Sequence, residues 1–324
     1  MMQRALVTGA TGFIGRQLCQ TLQSNGVHVT ALGREPQDGP WDVFKSGDLA
    51  GILPLDLCEH IDVVFHLAGI AHAMKMPKSE EGCYQRVNVE GTAHLLDLVQ
   101  ESEVNALVYF SSIKAMADPG EECVDETFLA KPIDPYGAAK REAEEQVLAF
   151  GQQYGFHVSV LRPTLVYGPS PKGNLARMIT AIRAGRFPPL NIRHNRRSMV
   201  SVNDLIHAAI LVSGHEQANG EIYIVSDGET YSTWGIYQAM CRVLHKQPPR
   251  WSLPIWPLSV LAKLGDGIGY LRGRPFAFNS EVLRRLIGSA CYRNDKLCSL
   301  GWQPTQTLAD VLPQMVSQDE SVTY

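Results

Sequence analysis

The stretch VTGATGFIGR, residues 7–16, sets Gly9, Gly12 and Gly15 between an apolar run and an amphipathic helical pattern. A chain that leaves a strand, turns at once and enters a helix needs residues without side chains at the turn. The backbone can then reverse and let a diphosphate approach the helix N-terminus, where amide donors and the helix dipole meet its charge. With an apolar strand before it and a helix after it, the GxxGxxG spacing reads as a dinucleotide-binding loop made by Gly9, Thr11, Gly12, Phe13, Ile14 and Gly15.

Outward from this loop, short β-rich runs alternate with helix-length segments. RALVTGA, HVTALG, DVVFHLAG, ALVYFSS and HVSVLRPT read as strands, and residues 13–25, 83–101 and 135–154 as helices. Such alternation predicts an α/β fold, a Rossmann-type doubly wound parallel sheet covered on both faces. The second half has more turns, in YGPSPKGN, RFPPLNIRHNRRS and KQPPRWSLP, with helical patterns at 204–213 and 233–245 and a strand pattern in EIYIVSDG. The expected division is a dinucleotide-binding domain over 1–165, to which about 198–228 returns. A smaller, intertwined substrate lobe is expected from 166–197 and 229–324. No linker, repeat or low-complexity tract separates the two.

The 324 residues are 45% hydrophobic and 19% charged, ordinary for a globular chain. A net charge of -4 argues against a general nucleic-acid binder, so an anionic ligand must meet a local basic patch. Seven scattered cysteines without a CxxC pair suggest neither a zinc site nor a disulfide framework, and fit a reduced cytosol. The N-terminus does not read as a signal peptide. The most apolar run, WSLPIWPLSVLAKLGDGIGYL, is broken by two prolines, Lys263 and Asp266. An integral membrane span is therefore not expected, while contact with a membrane surface stays open.

The second strand, in VHVTALGREP, ends at Gly33 and Arg34. An NAD-selective strand carries an acid there for the ribose hydroxyls; its loss and a nearby guanidinium favour a 2′-phosphate. NADP(H) is the expected cofactor, with NAD(H) the alternative. Asp48 in SGDL falls near the adenine side, and HLAG lets the backbone of Leu67, Ala68 and Gly69 pass close to the cofactor.

In DPYGAAKREAEEQV, Asp134 caps a helix, Pro135 opens it, and Tyr136 and Lys140 share one face four residues apart. A lysine beside a phenol stabilises phenolate and would lower its pKa, so that the tyrosine could exchange a proton with an alcohol or ketone. LVYFSSIKA puts Ser111 and Ser112 at the end of a strand, where open α/β sheets hold ligands.

With these residues in view, the chain resembles the extended short-chain dehydrogenases/reductases, in their nucleotide-sugar epimerase/dehydratase branch. TGATGFIG, GDL, HLAG, VNVEGT, FSSIKA, YGAAK, LRPTLVYGP, RRSMVSVND, VSDGETYS and LGWQPTQTL carry the resemblance, in order, along nearly the whole chain. It implies that Tyr136 is the acid/base, that Lys140 lowers its pKa and holds the nicotinamide ribose, and that Ser112 completes the catalytic set, with neighbouring Ser111 the alternative. Leu49 and Pro163 join the implied cofactor contacts. Asn88 resembles a structural asparagine, and Asn174 and Arg197 resemble contacts to a nucleotide diphosphate, with Arg193, His194 and Arg196 adding to a basic patch. Cys291 in SACYRND resembles a position where a small residue leaves room for an N-acetyl group, although a buried structural cysteine reads equally well there.

The resemblance leaves two chemistries. A 4-epimerase keeps NAD bound while a sugar is oxidised, turned and reduced; a 4-ketoreductase takes hydride from NADPH and releases both products. Gly33, Arg34 and the texture SSIKA…DPYGAAK…KGN…NRRSMVS…VSDGE favour reduction of a UDP-4-keto-6-deoxy-N-acetylhexosamine in lipopolysaccharide or other bacterial surface-polysaccharide biosynthesis. The alternative is a UDP-glucose or UDP-N-acetylglucosamine 4-epimerase, and a non-catalytic dinucleotide-binding subunit comes last. Lys114, two after Ser112, departs from the hydroxyl common in epimerases, and no acidic pair marks a dehydratase. The expected setting is cytoplasmic, and the helices at 83–101 and 135–154 could pair in a homodimer.

Overall fold

The computed structural model describes residues 2–70, 82–169, 174–190, 192–248, 253–273, 276 and 278–319. Parts of the predicted turns YGPSPKGN (170–173), RFPPLNIRHNRRS (191) and KQPPRWSLP (249–252) lie outside the described residues. In the first half the order is β1 (Arg4–Thr8), α1 (Phe13–Ser24), β2 (His28–Gly33), β3 (Val43–Ser46), β4 (Val63–His66), α2 (Gly91–Gln100), β5 (Ala106–Phe110), β6 (Cys123–Val124), α3 (Pro135–Tyr154) and β7 (His157–Pro163). The second half continues with β8 (Leu165–Tyr167), α4 (Asn174–Arg183), β9 (Met199–Ser201), α5 (Val202–Val212), β10 (Glu221–Val225), α6 (Thr233–Val243), α7 (Ile255–Arg272), α8 (Ser280–Ile287), β11 (Cys291–Tyr292), α9 (Asp295–Cys298) and α10 (Leu308–Asp319).

Seven strands form one sheet in the order β10-β7-β5-β4-β1-β2-β3, and every pairing is parallel. The strands alternate their side chains between two cores, as a period of two requires. Ala5 and Val7 of β1 face Leu18 and Leu22 of α1 and Leu205 and Ile206 of α5, while Leu6 faces Leu95 and Val99 of α2 and Val147 of α3. Thr8 lies level with Leu32 on one side and His66 on the other, and Phe110 level with Leu161. The C-terminal ends of β1, β2, β4, β5 and β7 therefore share one edge, and the chain leaves β1 to opposite sides of it. That is where an open α/β sheet makes its crevice.

Local chemistry sets the ends of α3. Asp134 accepts a hydrogen bond from the Gly137 amide at 3.0 Å, Pro135 stands first in the helix, and Gly155 closes it at φ +63°. The segment expected as one helix over 83–101 instead opens with a π-helical turn, Gln85–Glu90, before α2 begins.

A third core joins α4, α6 and α10 through Leu175, Ile179, Ile236, Met240, Leu312 and Met315. Buried Asp204 of α5 fastens the segment leading to α10, accepting from the Thr305 amide and hydroxyl and the Gln306 amide. Two small parallel ladders, β8 with β9 and β6 with β11, flank the main sheet. In the latter Cys123 and Cys291 lie opposite one another and are disulfide-bonded. This corrects the sequence expectation of no disulfide: the two stand 168 residues apart, so spacing gives no sign that the fold pairs them. Among the described residues no helix is long and apolar enough to cross a membrane.

Candidate active site

The glycine loop follows β1 and closes on itself. Gly9 has φ +70°, and a Cβ there would lie 2.8 Å from the Ala68 amide nitrogen. A Cβ on Gly15 would lie 2.2 Å from the Gly9 carbonyl oxygen, so α1 can approach β1 this closely only without side chains. Gly12 is the N-cap of α1 and supplies no side-chain acceptor, so the first-turn amides keep their hydrogen-bonding capacity for a ligand. Phe13 and Ile14 are half-buried beyond it, and Thr11 is half-buried toward the end of β2. This bare helix terminus beside a loop that no side chain fills fits a dinucleotide diphosphate.

At the end of β2 the reason for Gly33 is steric. A Cβ there would meet the Phe44 ring at 2.7 Å and Thr11 Cγ2 at 3.5 Å. Arg34 follows, exposed. A second guanidinium, missed from the sequence, reaches the loop between β2 and β3: Arg16 donates to the Asp38 carbonyl at 2.6 Å and lies over the Trp41 ring. Its only sequence sign is its place in the first turn of α1. Asp48 is exposed in a turn, accepting from the Ala50 amide, whereas Leu49 is buried against Gly91.

The catalytic candidates come from β5 and α3. Ser112 follows β5 in an extended conformation, and its Oγ accepts from the Lys114 amide at 3.2 Å. Ser112 lies beside the Tyr136 phenol and favours its ionised form. Ser111 is buried, its amide bonded to the Leu161 carbonyl. Geometry therefore pairs Ser112, the second of the neighbouring serines, with the phenol. Burial pushes the Tyr136 phenol up to about 12, against the lowering influence of Ser112.

The buried ammonium of Lys140 donates to the Tyr109 hydroxyl at 3.2 Å and the Phe110 carbonyl at 2.9 Å, and lies over the Tyr109 ring. Burial pushes its pKa down to about 8, against the raising effect of Glu144. In this arrangement the ammonium turns inward to β5, and desolvation is the largest influence on the Tyr136 phenol. Gly69 passes just above, where a Cβ would lie 3.4 Å from Lys140 Nζ and 2.8 Å from Asn88 Oδ1.

Beneath this edge runs a buried polar chain that sequence reasoning did not single out. His66 Nδ1 lies 2.7 Å from Thr8 Oγ1 and its Nε2 3.0 Å from Thr92 Oγ1; Thr8 Oγ1 also accepts from the Ala68 amide. Asn88, in the π-helical turn, grips Ile70 from both sides, accepting from its amide and donating to its carbonyl. The backbone over 67–70 is thus held by two side chains, Thr8 and Asn88, which suits Leu67, Ala68 and Gly69 as a fixed wall. Asn88 does so as a structural residue.

The lobe candidates lie more widely. Pro163 is buried at the end of β7, and Asn174 is exposed at the start of α4. Arg197 is half-buried, its Nη2 donating to the Gly288 carbonyl at 3.1 Å, and its backbone pairs with Tyr231 and Ala290, beside Cys291. Of the expected patch of cations, Arg193 lies over the Trp234 ring, Arg196 donates to the Glu121 carbonyl, and His194 is exposed. Cys291 is buried and bonded to Cys123, so its sulfur is committed to the β6–β11 ladder.

The family model of the NAD dependent epimerase/dehydratase family matches residues 5–226. The UDP-glucose 4-epimerase of Vibrio cholerae is 31% identical over 97% of this chain and 94% of its own length. The N-acetyl-alpha-D-glucosaminyl-diphospho-ditrans,octacis-undecaprenol 4-epimerase of Escherichia coli O157:H7 is 23% identical over 98% of this chain and 96% of its own. The solved structure of MoeE5 with UDP-glucose and NAD superposes with a TM-score of 0.78 at 23% identity, covering 99% of this chain and 100% of that one. A diphosphate-ready glycine loop, a Ser112–Tyr136 pair at the strand edge and a match through the whole sheet agree: the chain is an enzyme of the extended short-chain dehydrogenase/reductase class and belongs to the NAD-dependent epimerase/dehydratase family.

Proposed function

We propose that the protein reduces the 4-keto group of a UDP-linked 6-deoxy-N-acetylhexosamine, with NADP(H) preferred over NAD(H). The observation that carries the redox chemistry is the placement of Ser112 beside the Tyr136 phenol, where β5 ends and α3 begins. Gly9, Gly12, Gly15 and the backbone over 67–69 would hold the dinucleotide, and the nicotinamide, when bound, supplies hydride to the sugar carbon. Tyr136 gives its phenolic proton to the carbonyl oxygen, and Ser112 holds that oxygen in line. Lys140 is proposed to release Tyr109 when the dinucleotide binds; its ammonium would then stabilise the phenolate left behind and hold the ribose hydroxyls. Preference for a 2′-phosphate rests on Gly33, where Phe44 occupies the space of an acidic side chain, and on exposed Arg34 with Arg16 nearby. Asn174 and Arg197 are proposed for the UDP diphosphate. The proposal includes a cytoplasmic setting, in which Cys123 and Cys291 would stand as adjacent thiols, and a homodimer through α2 and α3.

A second reading, the NAD-dependent 4-epimerase of UDP-hexoses, is favoured by the 31% identity to the Vibrio cholerae epimerase. It uses the same Ser112 and Tyr136, but the phenolate first takes a proton from the 4-hydroxyl and later returns it. The experiment that separates the readings identifies the dinucleotide released on denaturation. It then supplies either UDP-4-keto-6-deoxy-N-acetylglucosamine with NADPH or UDP-glucose alone. Stoichiometric NADPH oxidation supports the reductase; retained NAD with UDP-galactose formation and no net cofactor change overturns it in favour of the epimerase.

A further inference from the structure

We propose that α7 is a docking surface for an anionic lipid bilayer. The helix is built inside out. Among its residues only Ala262 and Gly265 are buried, while Trp256 is 71% exposed, Val260 53%, Leu264 59% and Leu271 85%. At about 100° per residue those four large side chains fall on one stripe, opposite the two small ones. The stripe cannot roll inward, because a Cβ on Gly265 would lie 1.9 Å from the Phe278 carbonyl oxygen; the small-residue face is seated tightly on the chain leading to α8.

Charge chooses the occupant. The helix has one acid, Asp266, and it is turned to the start of α8, accepting from the Ser280 amide at 3.1 Å and from the Ser280 hydroxyl. With Leu261 and Ile268, 53% and 37% exposed, the stripe widens into an arc from Trp256 to Leu261, and the two exposed cations, Lys263 and Arg272, border its opposite margins by helical position. An apolar centre with a positive rim is complementary to a negatively charged headgroup layer, into which long basic side chains reach while apolar ones sink. Pairing the stripe with a second copy would set cations against cations, with no acid on the stripe's margins to match them. Trp256 and Tyr270, the latter 89% exposed, stand near the two ends, the amphipathic aromatics suited to a membrane–water boundary. At about 27 Å for its 18 residues, the helix would lie in the plane of the interface; it does not qualify as a span. The proposal is independent of which sugar the active site takes.

The test is flotation of the full chain with vesicles of phosphatidylcholine alone and of three parts phosphatidylcholine to one part phosphatidylglycerol. The wild type is expected to float with the anionic vesicles, less so at high salt. Leu264→Glu should lower the bound fraction at least about tenfold, and Lys263→Gln with Arg272→Gln should remove the preference for phosphatidylglycerol. Melting curves and dinucleotide titration matching the wild type show that each variant is folded. Equal flotation on both vesicle types, or flotation unchanged by Leu264→Glu, overturns the proposal. So does a wild type that ignores vesicles but whose mass by light scattering halves on Leu264→Glu, which would make the stripe a self-association surface.

Discussion

Arg162 of β7 and Glu144 of α3 form a two-pronged ion pair in the core, Nε to Oε1 at 2.8 Å and Nη2 to Oε2 at 2.6 Å, each side chain 1% exposed. Glu144 lies one turn beyond Lys140 on the same helix, so the pair sets how α3 sits against the sheet and with it the depth of Lys140. Removing one partner leaves a buried charge without compensation. Arg162→Met is expected to cost about 3–5 kcal/mol, and adding Glu144→Met should return most of it. Urea unfolding of the single and double variants measures both.

Turnover should separate from binding at Tyr136. Tyr136→Phe is expected to lower kcat by about 10²–10⁴ while dinucleotide titration is unchanged. With the phenol held near 12 by burial, it stays protonated through neutral pH. The reductive direction, which needs the proton, should therefore show no break from this group between about pH 6 and 9. The oxidative direction, which needs phenolate, should climb about tenfold per pH unit. A plateau near neutral pH in the oxidative profile would show that bound dinucleotide lowers the phenol.

Much of this was legible before any coordinates, for reasons that differ from residue to residue. Short β-rich runs identify β2 and β10, and Asp134-Pro135 marks the start of α3, because caps and β-propensity act within a few residues. The Ser112–Tyr136 pair was readable because motif and strand edge coincide. The inward turn of Lys140, the Thr8–His66–Thr92 chain and the Cys123–Cys291 bond depend on side chains far apart in sequence. Short ladders such as β6 with β11, two residues each, carry no periodic signal at all. In the basic run around Arg196 adjacent cations on irregular backbone meet different partners, Arg193 the Trp234 ring and Arg196 the Glu121 carbonyl, which no local pattern foretells.

His66 should govern acid stability. Burial, with the Lys140 charge adding, pushes its pKa down to about 3. The unfolded chain then takes up the proton near pH 6.5 while the folded one refuses it. Stability is therefore lost as pH falls from about 6.5 toward 3, and is unaffected by this group above that window. His66→Gln should flatten the difference between urea unfolding at pH 7 and at pH 4.5. An equally steep loss in the variant would move the cause elsewhere.

Cofactor choice should resist the simplest redesign. Gly33→Asp restores the acid but puts its Cβ 2.7 Å from the Phe44 ring, so by itself it is expected to destabilise the fold without improving NADH binding. Combined with Phe44→Ala, which clears the space, it should shift the NADPH-to-NADH affinity ratio toward NADH by at least about tenfold. Fluorescence titration with both dinucleotides gives the ratio. No change in the double variant would mean that the ribose does not sit beside β2.

The place of β10 has a consequence in time. It is the outermost strand beside β7, yet it enters the chain only at residue 221, after β8, α4, β9 and α5 have been made. At about 5–20 residues per second, the ribosome needs roughly 3–12 s to bridge the gap after residue 163. Throughout that interval the hydrogen-bonding edge of β7 stands open. A nascent chain of this family is therefore exposed to strand-pairing with its neighbours on the polysome, and a fragment stopped near residue 165 would stay so for good.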